Sequence, residues 1–434
     1  MIPTRLRRTS ARVLPISLAL AACVVAAGGV LARADAKRTP PSVAVEPTRS
    51  DEQIRDLDIA FYAERAARDP SGASDLARLA GLYLQRARES GDPRDAAEAE
   101  RAARRSLKNR REHNDQAAQV LASALLAEHQ FVEALSVARD LHRRNPESPS
   151  LLATVAEIEM ELGDYAAARR DFKMLDTVAT DLSVAPRLAR WAEIEGRSDD
   201  ARRLSRRALA IARHEPSLPR EQLAWFWLRA GDVDLRAGRF ASADSAYRAA
   251  LAAHPNDYRV LSAMCRSASM QRRWREAIDV GERGIALTLD PATLGLLSEA
   301  YDAIGDTAKA SEYAHALDAA VSLQPGAYHR AWSLYLLDHR RNLPAVTRKI
   351  RNELTTRHDV YGYDILAWSD YVQHRPKQAR AAMAKALSQG TKDALLFRHA
   401  ALIARANGDS LDAASYVSRA RTLNPFVDVG GEVR

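Results

Sequence analysis

An alanine recurs along the chain at nearly constant intervals, and this spacing constrains the fold more than any other feature. Successive spacings are 38, 34, 33, 42, 34, 33, 35, 34 and 34 residues. The alanines are Ala96, Ala134, Ala168, Ala201, Ala243, Ala277, Ala310, Ala345, Ala379 and Ala413. Around Ala243 the pattern is complete, with Gly238 and Phe240 before it and Pro255 after it. A fixed period of this length indicates stacked units that repeat one packing arrangement.

Most units also have a small residue twelve positions before the alanine, as expected where two helices cross closely. These residues are Ala122, Ala156, Ala189, Gly231, Cys265, Ser298, Ala367 and Ala401. Bulky apolar residues, such as Leu152 and Leu261, lie four positions before them. Apolar residues at this i, i+3, i+4, i+7 spacing predict one buried face per helix. Helices are therefore expected almost throughout the chain.

The segments resemble the tetratricopeptide repeat (TPR), whose period is 34 residues, over roughly Ser74 to Pro425. The resemblance implies an all-α protein, a right-handed α-solenoid (superhelix) of about ten TPR-like helix-turn-helix units. Two stretches depart from the pattern. A longer connection or an extended helix is expected at 210–222. The eighth unit fits poorly within 327–357, and its register is open to a shift of one residue.

The N-terminal segment has the order of an export signal. Residues 1–34 contain five Arg and no acidic residue, and an apolar run from Val13 to Ala32 leads to a small-residue A-x-A site ending at Ala34. Three interpretations stay open: a cleaved signal peptide, which is favoured, an uncleaved N-terminal signal anchor, and a lipoprotein at Cys23. All three predict an exported protein, located in the periplasm or the cell envelope.

The remaining boundaries follow from composition and periodicity. We expect a disordered spacer at 35–50, an N-terminal capping helix with a polar outer face at 51–72, the TPR solenoid at 73–425 and a flexible tail at 426–434. The net charge of +8 falls to +3 without the leader, with 59 basic against 56 acidic residues. The sequence therefore predicts no nucleic-acid partner.

No motif in the sequence has the spacing of a catalytic, cofactor or metal site. His214-Glu215 begins like a zinc-protease motif, but Leu218 stands where the second His is required. Cys265 occupies a small, buried position of its unit, so a structural role is expected rather than nucleophilic chemistry. The sequence predicts that the protein is not an enzyme and binds no cofactor or metal.

The TPR resemblance implies that the first helix of each unit lines a concave groove that binds a protein or peptide. The family's clamp for terminal carboxylates is absent, because its Lys and Asn positions hold Ala153, Pro186, Leu228, Ser262 and Gly295. Along the groove, charges alternate in sign at Glu157, Arg190, Asp232, Arg266 and Glu299. They form either an intramolecular ladder, which is favoured, or a peptide-binding strip.

Four residues of the ninth unit form a second candidate surface in the groove: Tyr361, Asp364, Trp368 and Tyr371. Partly exposed aromatic side chains at these positions would suit a binding hot spot. The alternative is that Trp368 packs against the eighth unit, where Trp332 and Tyr335 lie.

Together these features predict a non-enzymatic protein–protein interaction scaffold in the cell envelope, with a protein or peptide partner of unknown identity. The alternative is an accessory factor for envelope complex assembly, of the cytochrome-maturation, secretion or pilus-assembly type.

Overall fold

Antiparallel helix pairs follow one another along the described chain. The computed structural model describes residues 49–178, 181–322 and 330–430. Its regular elements there are α-helices and one short 3-10 turn at Asp176–Val178. The helices are α1 (Asp51–Arg68), α2 (Ala73–Ser90), α3 (Pro93–Asn109), α4 (Asp115–Ala127), α5 (Phe131–Arg144), α6 (Pro149–Leu162), α7 (Tyr165–Met174), α8 (Ala185–Ile194), α9 (Ser198–Ala212), α10 (Arg220–Arg236), α11 (Phe240–Ala253), α12 (Tyr258–Met270), α13 (Trp274–Ile285), α14 (Pro291–Ala303), α15 (Thr307–Ser322), α16 (Arg330–Asp338), α17 (Leu343–Glu353), α18 (Val360–Val372), α19 (Pro376–Ala386), α20 (Ala394–Ala406) and α21 (Ser410–Leu423).

The repeat pattern corresponds to the contact between the two helices of each pair. Ala243 on α11 is fully buried where α11 crosses α10. A methyl group added at Gly231 on α10 would lie 2.7 Å from Cδ1 of Tyr247, so only glycine fits this crossing. Each pair buries its apolar face against its own partner and its neighbours, and the predicted all-α solenoid of TPR-like units is confirmed.

The two irregular stretches have different structural causes. In the first, seven residues connect Ala212, the end of α9, to Arg220, the start of α10, and α10 itself is lengthened to 17 residues. In the eighth unit, the packing position next to α18 is occupied by Val346, which is buried, whereas Ala345 is half-buried. The register there is shifted by one residue.

Residues about 200 positions apart meet, because successive turns of the superhelix contact each other. The Thr288 hydroxyl donates to the Ser90 carbonyl at 2.5 Å, and the Thr391 hydroxyl donates to the Ile194 carbonyl at 2.5 Å. The His358 amide donates to the Leu162 carbonyl at 2.7 Å. These separations of 196 to 198 residues correspond to about six units. The end of the first helix of one pair therefore contacts the loop that precedes a pair six units later.

The two ends of the described chain differ from expectation. Helix α1 exposes Ile54, Leu57 and Phe61, each about half accessible, so the expectation of a polar outer face is wrong. At the other end, Val429 is buried against Phe397 and α21, so residues 426–430 pack rather than forming part of a flexible tail. Apolar side chains in both segments produce these differences.

Helix α1 also contacts the segment after α11 through titratable side chains, namely Glu52 and His254. Nε2 of His254 lies 3.2 Å from Glu52, and its Nδ1 lies 3.7 Å from Asp257. Asp257 and Glu52 raise the pKa of His254. Hydrogen bonds from Ser50 and His254 lower the pKa of Glu52 to about 2.

The chain separates into Met1–Arg49 and one compact unit, Ser50–Arg434. The predicted leader and most of the spacer lie outside the described residues, so their interpretations stay predictions. Within the described ranges, no helix is both long and apolar enough to cross a membrane.

Candidate functional site

The five charged residues of the predicted strip lie on successive first helices: Glu157 on α6, Arg190 on α8, Asp232 on α10, Arg266 on α12 and Glu299 on α14. Nη2 of Arg266 lies 2.8 Å from Oδ1 of Asp232, so these two neighbours are paired as a ladder requires. Glu157 pairs instead with Arg187 on α8, at 2.7 Å. The ladder is therefore partial, and whether the strip binds a peptide stays a prediction.

Glu193 is the centre of this charged region, although its sequence position does not reveal it. Its carboxylate accepts hydrogen bonds from Arg236 and from Arg229, the latter at 3.4 Å. Arg190 lies 3.7 Å away. Burial alone would raise the pKa of Glu193, but the three arginines hold it below its ordinary value. Three guanidinium groups thus share one buried carboxylate.

Tyr361, Asp364, Trp368 and Tyr371 form the second candidate surface, called here the late aromatic patch. Its centre is buried rather than partly exposed. Trp368 and Asp364 are both 0% exposed. The Trp368 ring stacks on His399 at 4.2 Å and on Tyr371 at 4.9 Å, and its Nε1–H donates to Asp338 at 2.8 Å. The expected partial exposure is wrong for Trp368, because α16 and α20 cover this face of α18. Asp364 is buried by contacts with the same two helices.

Trp368 belongs to the same apolar cluster as Trp332 and Tyr335 of the eighth unit. This contact corresponds to the alternative in which the tryptophan packs against that unit. Tyr361 and Tyr371 remain half-buried. A role of these four residues in binding a partner stays a prediction.

Asp364 is the acceptor of a second buried network. It accepts from Nη2 of Arg330 at 2.9 Å and from Nδ1 of His399 at 2.8 Å. Arg330 also donates to Asp393 at 3.0 Å. Burial would raise the pKa of Asp364, but the charges of His399 and Arg330 lower it overall. The carboxylate of Asp364 is therefore held between the Arg330 guanidinium and the His399 imidazole.

Tyr361 joins the two networks, which lie far apart in sequence. The guanidinium of Arg330 lies 4.6 Å from the ring centroid, and that of Arg190 lies 5.4 Å from it. Both distances suit cation–π contacts. The structure thus brings together one residue of the predicted strip and one of the predicted aromatic patch, because successive superhelical turns contact each other.

A cavity of about 430 Å³ opens beside this junction. Helices α6, α8 and α10 supply its charged walls, and the apolar side chains come from α8, from α10 and from the segment leading into α8. The lining consists of Glu157, Glu161, Leu182, Ser183, Pro186, Arg187, Arg190, Trp225, Arg229 and Arg236. Of these, Glu157 and Arg190 belong to the charged strip predicted from the sequence; the cavity itself was not predicted, since it depends on how three units are placed.

A larger groove of about 870 Å³ lies on the outer side of the first two units, between α3 and α5. Its floor is apolar, with side chains from α3, α4 and α5: Leu107, Ala118, Leu121, Leu135 and Val137. Both rims are basic, with Arg104, Lys108 and Arg111 on one side and Arg139, Arg143 and Arg144 on the other. Val132 and Ser136 are also at its edge, and Asp140 is the acidic residue that lines it.

Comparisons with known proteins identify similar folds but no family. No family model and no curated protein matches the chain. Among solved structures, PilW, a type IV pilus biogenesis factor, is 18% identical with a TM-score of 0.41, covering 48% of this chain and 94% of its own. Human IFIT1, solved as a dimer with PPP-AAAA, is 14% identical with a TM-score of 0.44, covering 87% and 96%. The Cut9–Hcn1 hetero-tetramer of the APC/C gives 11% identity and a TM-score of 0.33, covering 87% and 92%.

The described residues contain no group of three or more His, Cys, Asp or Glu side chains placed to hold a metal ion. Cys265 is fully buried, and burial raises the pKa of its thiol to about 12. Its sulfur lies where α12 meets α13, since a methyl group added at Gly281 would be 3.0 Å from it. In this position the side chain is protonated at neutral pH and packs as a small apolar residue.

Proposed function

We propose that the protein is a non-enzymatic interaction scaffold that holds a partner protein in the outer groove between α3 and α5. The groove combines an apolar floor with basic rims on both sides, and this combination carries the proposal. The segment that fits it is an amphipathic helix, with its apolar face on the floor and acidic side chains toward the rims.

The basic rims are only partly neutralised by the protein itself. Arg104 pairs with Glu133 at 2.7 Å, and Arg139 pairs with Glu159 at 2.7 Å. Lys108 and Arg111 make no ion pair with any described residue. Acidic groups of a partner would therefore find unpaired cations at the rim, which favours association and orients the partner.

The dimensions of the groove suit a short helix. Its α5 wall is 14 residues long, which corresponds to about 21 Å at 1.5 Å per residue. Three to four helical turns, about 14 residues, would thus lie along it. The exposed side chain of Val132 and the apolar floor would bury the hydrophobic face of such a helix.

The proposed localisation of the scaffold is based on the N-terminal segment, residues 1–34. Five Arg and no acidic residue in positions 1–34, followed by the apolar run, support export to the periplasm or cell envelope. A role as an accessory factor in envelope complex assembly is one form of the same proposal. Peptide binding by the charged strip stays the less favoured alternative to an intramolecular ladder, and in the late aromatic patch Tyr361 and Tyr371 are the residues that are only half-buried.

The test is a capture experiment with the full chain and one groove variant. The variant combines Lys108→Glu, Arg111→Glu and Val132→Asp, which alter exposed side chains without breaking an ion pair of the described chain. Proteins retained from an envelope extract are compared with those retained by the parent chain at low and high salt. Loss of one retained protein from the variant, and weakening of its retention by salt, is the expected result.

A matched control carries Arg207→Glu, Arg248→Glu and Leu411→Asp, which make the same changes of charge and polarity on exposed positions of α9, α11 and α21. This control should retain the partner as the parent chain does. Equal retention by the groove variant and the control would contradict the proposed site.

A further inference from the structure

The interior cavity described above is smaller than the outer groove, and its charged lining residues come from α6, α8 and α10. Four arginines and two glutamates line it: Arg187, Arg190, Arg229 and Arg236 against Glu157 and Glu161. The formal charge facing the cavity is therefore positive. Guanidinium groups present planar pairs of donors that match the oxygens of phosphates and carboxylates.

The donors of Arg190 are not used up by the protein. Among the described residues its ion-pair partner is Glu193, and at 3.7 Å this separation exceeds a hydrogen bond. Its guanidinium is positioned instead over the face of Tyr361. The side chain is 22% exposed, which is the part that reaches the cavity. A group held in place with free donors is ready to bind an anion.

The neighbouring acidic residues do not cancel this charge at the cavity surface. Glu193 and Asp232 are buried behind the guanidinium groups and are not part of the lining. Each is shared, Glu193 by three arginines and Asp232 by Arg229 and Arg266. Glu161 lines the cavity, but its carboxylate is paired with Arg357 at 3.3 Å, and Arg357 is not part of the lining.

The size and the remaining wall of the cavity indicate what kind of molecule fits. A volume of about 430 Å³ lies in the range of small-molecule sites, about 300–1,000 Å³. Leu182, Pro186 and Trp225 are the apolar residues of the lining. Such a site suits a ligand with an anionic end and a less polar body.

We infer that this cavity is a binding site for a small polyanion that carries two or more phosphate or carboxylate groups, with Arg190 as the primary contact. Arg229 and Arg236 would add donors from α10. Arg187 joins them only in part, because its Nε donates to Glu157 at 2.7 Å. This site is separate from the outer groove and does not depend on the proposed scaffold function.

The test measures binding of pyrophosphate and of citrate to the full chain by isothermal titration calorimetry. Arg190→Gln removes the contact while leaving Glu193 two arginine partners, so the fold should be retained. Glu157→Gln removes an acidic group from the lining and frees Arg187. Arg143→Gln, an exposed arginine of the outer groove, is the matched control for binding elsewhere.

We expect one saturable site in the parent chain, bound about tenfold or more weakly after Arg190→Gln. Affinity should rise severalfold after Glu157→Gln, and it should not change after Arg143→Gln. The stronger of the two probes identifies the anionic group that the site prefers. The inference is wrong if neither probe saturates, if Arg190→Gln binds as the parent does, or if only Arg143→Gln weakens binding.

Discussion

Replacing Gly163 by alanine tests whether the contact between superhelical turns holds the molecule closed. Gly163 follows α6 with a φ of 81°. A methyl group added there would lie 2.7 Å from the amide nitrogen of Asp359 and would overlap the carbonyl of His358. Segment 357–360, which belongs to the next superhelical turn, would have to move away.

Gly305 provides a closely matched control within the same chain. It has a φ of 86° at the equivalent turn of the seventh unit, and nothing lies within 4 Å of a methyl group added to it. The local hydrogen bonding is also the same, since Asp164 N–H donates to Glu159 and Asp306 N–H donates to Tyr301, both at 2.9 Å. Gly305→Ala should therefore lower stability only through backbone strain, by about 1–2 kcal/mol.

The additional loss in Gly163→Ala comes from contacts between turns. Separation breaks the hydrogen bond from His358 N–H to the Leu162 carbonyl, 2.7 Å, and that from Val360 N–H to the Tyr165 hydroxyl, 2.8 Å. Two such bonds contribute about 1–3 kcal/mol net. A central value of about 2 kcal/mol corresponds to about thirtyfold faster local opening.

Hydrogen exchange of segment 357–360 is the direct assay, because it reports opening at this contact rather than unfolding of the whole array. Exchange there should be about thirtyfold faster in Gly163→Ala than in Gly305→Ala. Equal exchange in the two variants would show that the contact between turns does not hold this segment.

Three other outcomes follow from the described contacts. The buried thiol of Cys265 should react with a thiol reagent only after denaturation, and rapid labelling of the native protein would contradict its burial. Asp364→Asn should lower the free energy of unfolding by about 3 kcal/mol, because the partly buried guanidinium of Arg330 loses one of its carboxylate partners; chemical denaturation measures this. Protection of α1 amides should be greatest between about pH 4.5 and 6.5. The raised pKa of His254 contributes stability that is lost as pH rises through that value, and the lowered pKa of Glu52 contributes stability that is lost as pH falls toward about 2. Exchange measured across pH and corrected for intrinsic rates checks both directions, and Glu52→Gln should flatten the profile.

The helix pairs were predictable because their packing is encoded within about 34 residues. Small residues recur twelve positions apart where the two helices of a pair cross closely, as at Gly231, which packs against Tyr247, and at Ala243, which is fully buried. The shifted register at Val346 also follows from the local pattern, since the eighth unit lacks the expected fit. Local periodicity therefore predicts the unit and its irregularities.

The interior was not predictable, because it depends on contacts between residues about 200 positions apart. Small rotations from unit to unit add up over a whole superhelical turn, and they decide whether one turn reaches the next. No spacing in the sequence relates Arg190 to Tyr361, or Trp368 to the cover supplied by α20. The sequence shows that residues 229 and 236 are arginines, but it does not predict that both contact Glu193.

Closure of the superhelix also bears on where a partner binds. A peptide that followed the interior strip would have to open contacts such as the one between Ile194 and Thr391, which are formed in the free protein. Its apparent affinity would be reduced by the small fraction of open molecules. The outer groove between α3 and α5 is accessible without such a change. For equal contacts, the proposed protein partner would therefore bind more tightly in the outer groove, and the interior would be better suited to a small anion that enters the existing cavity.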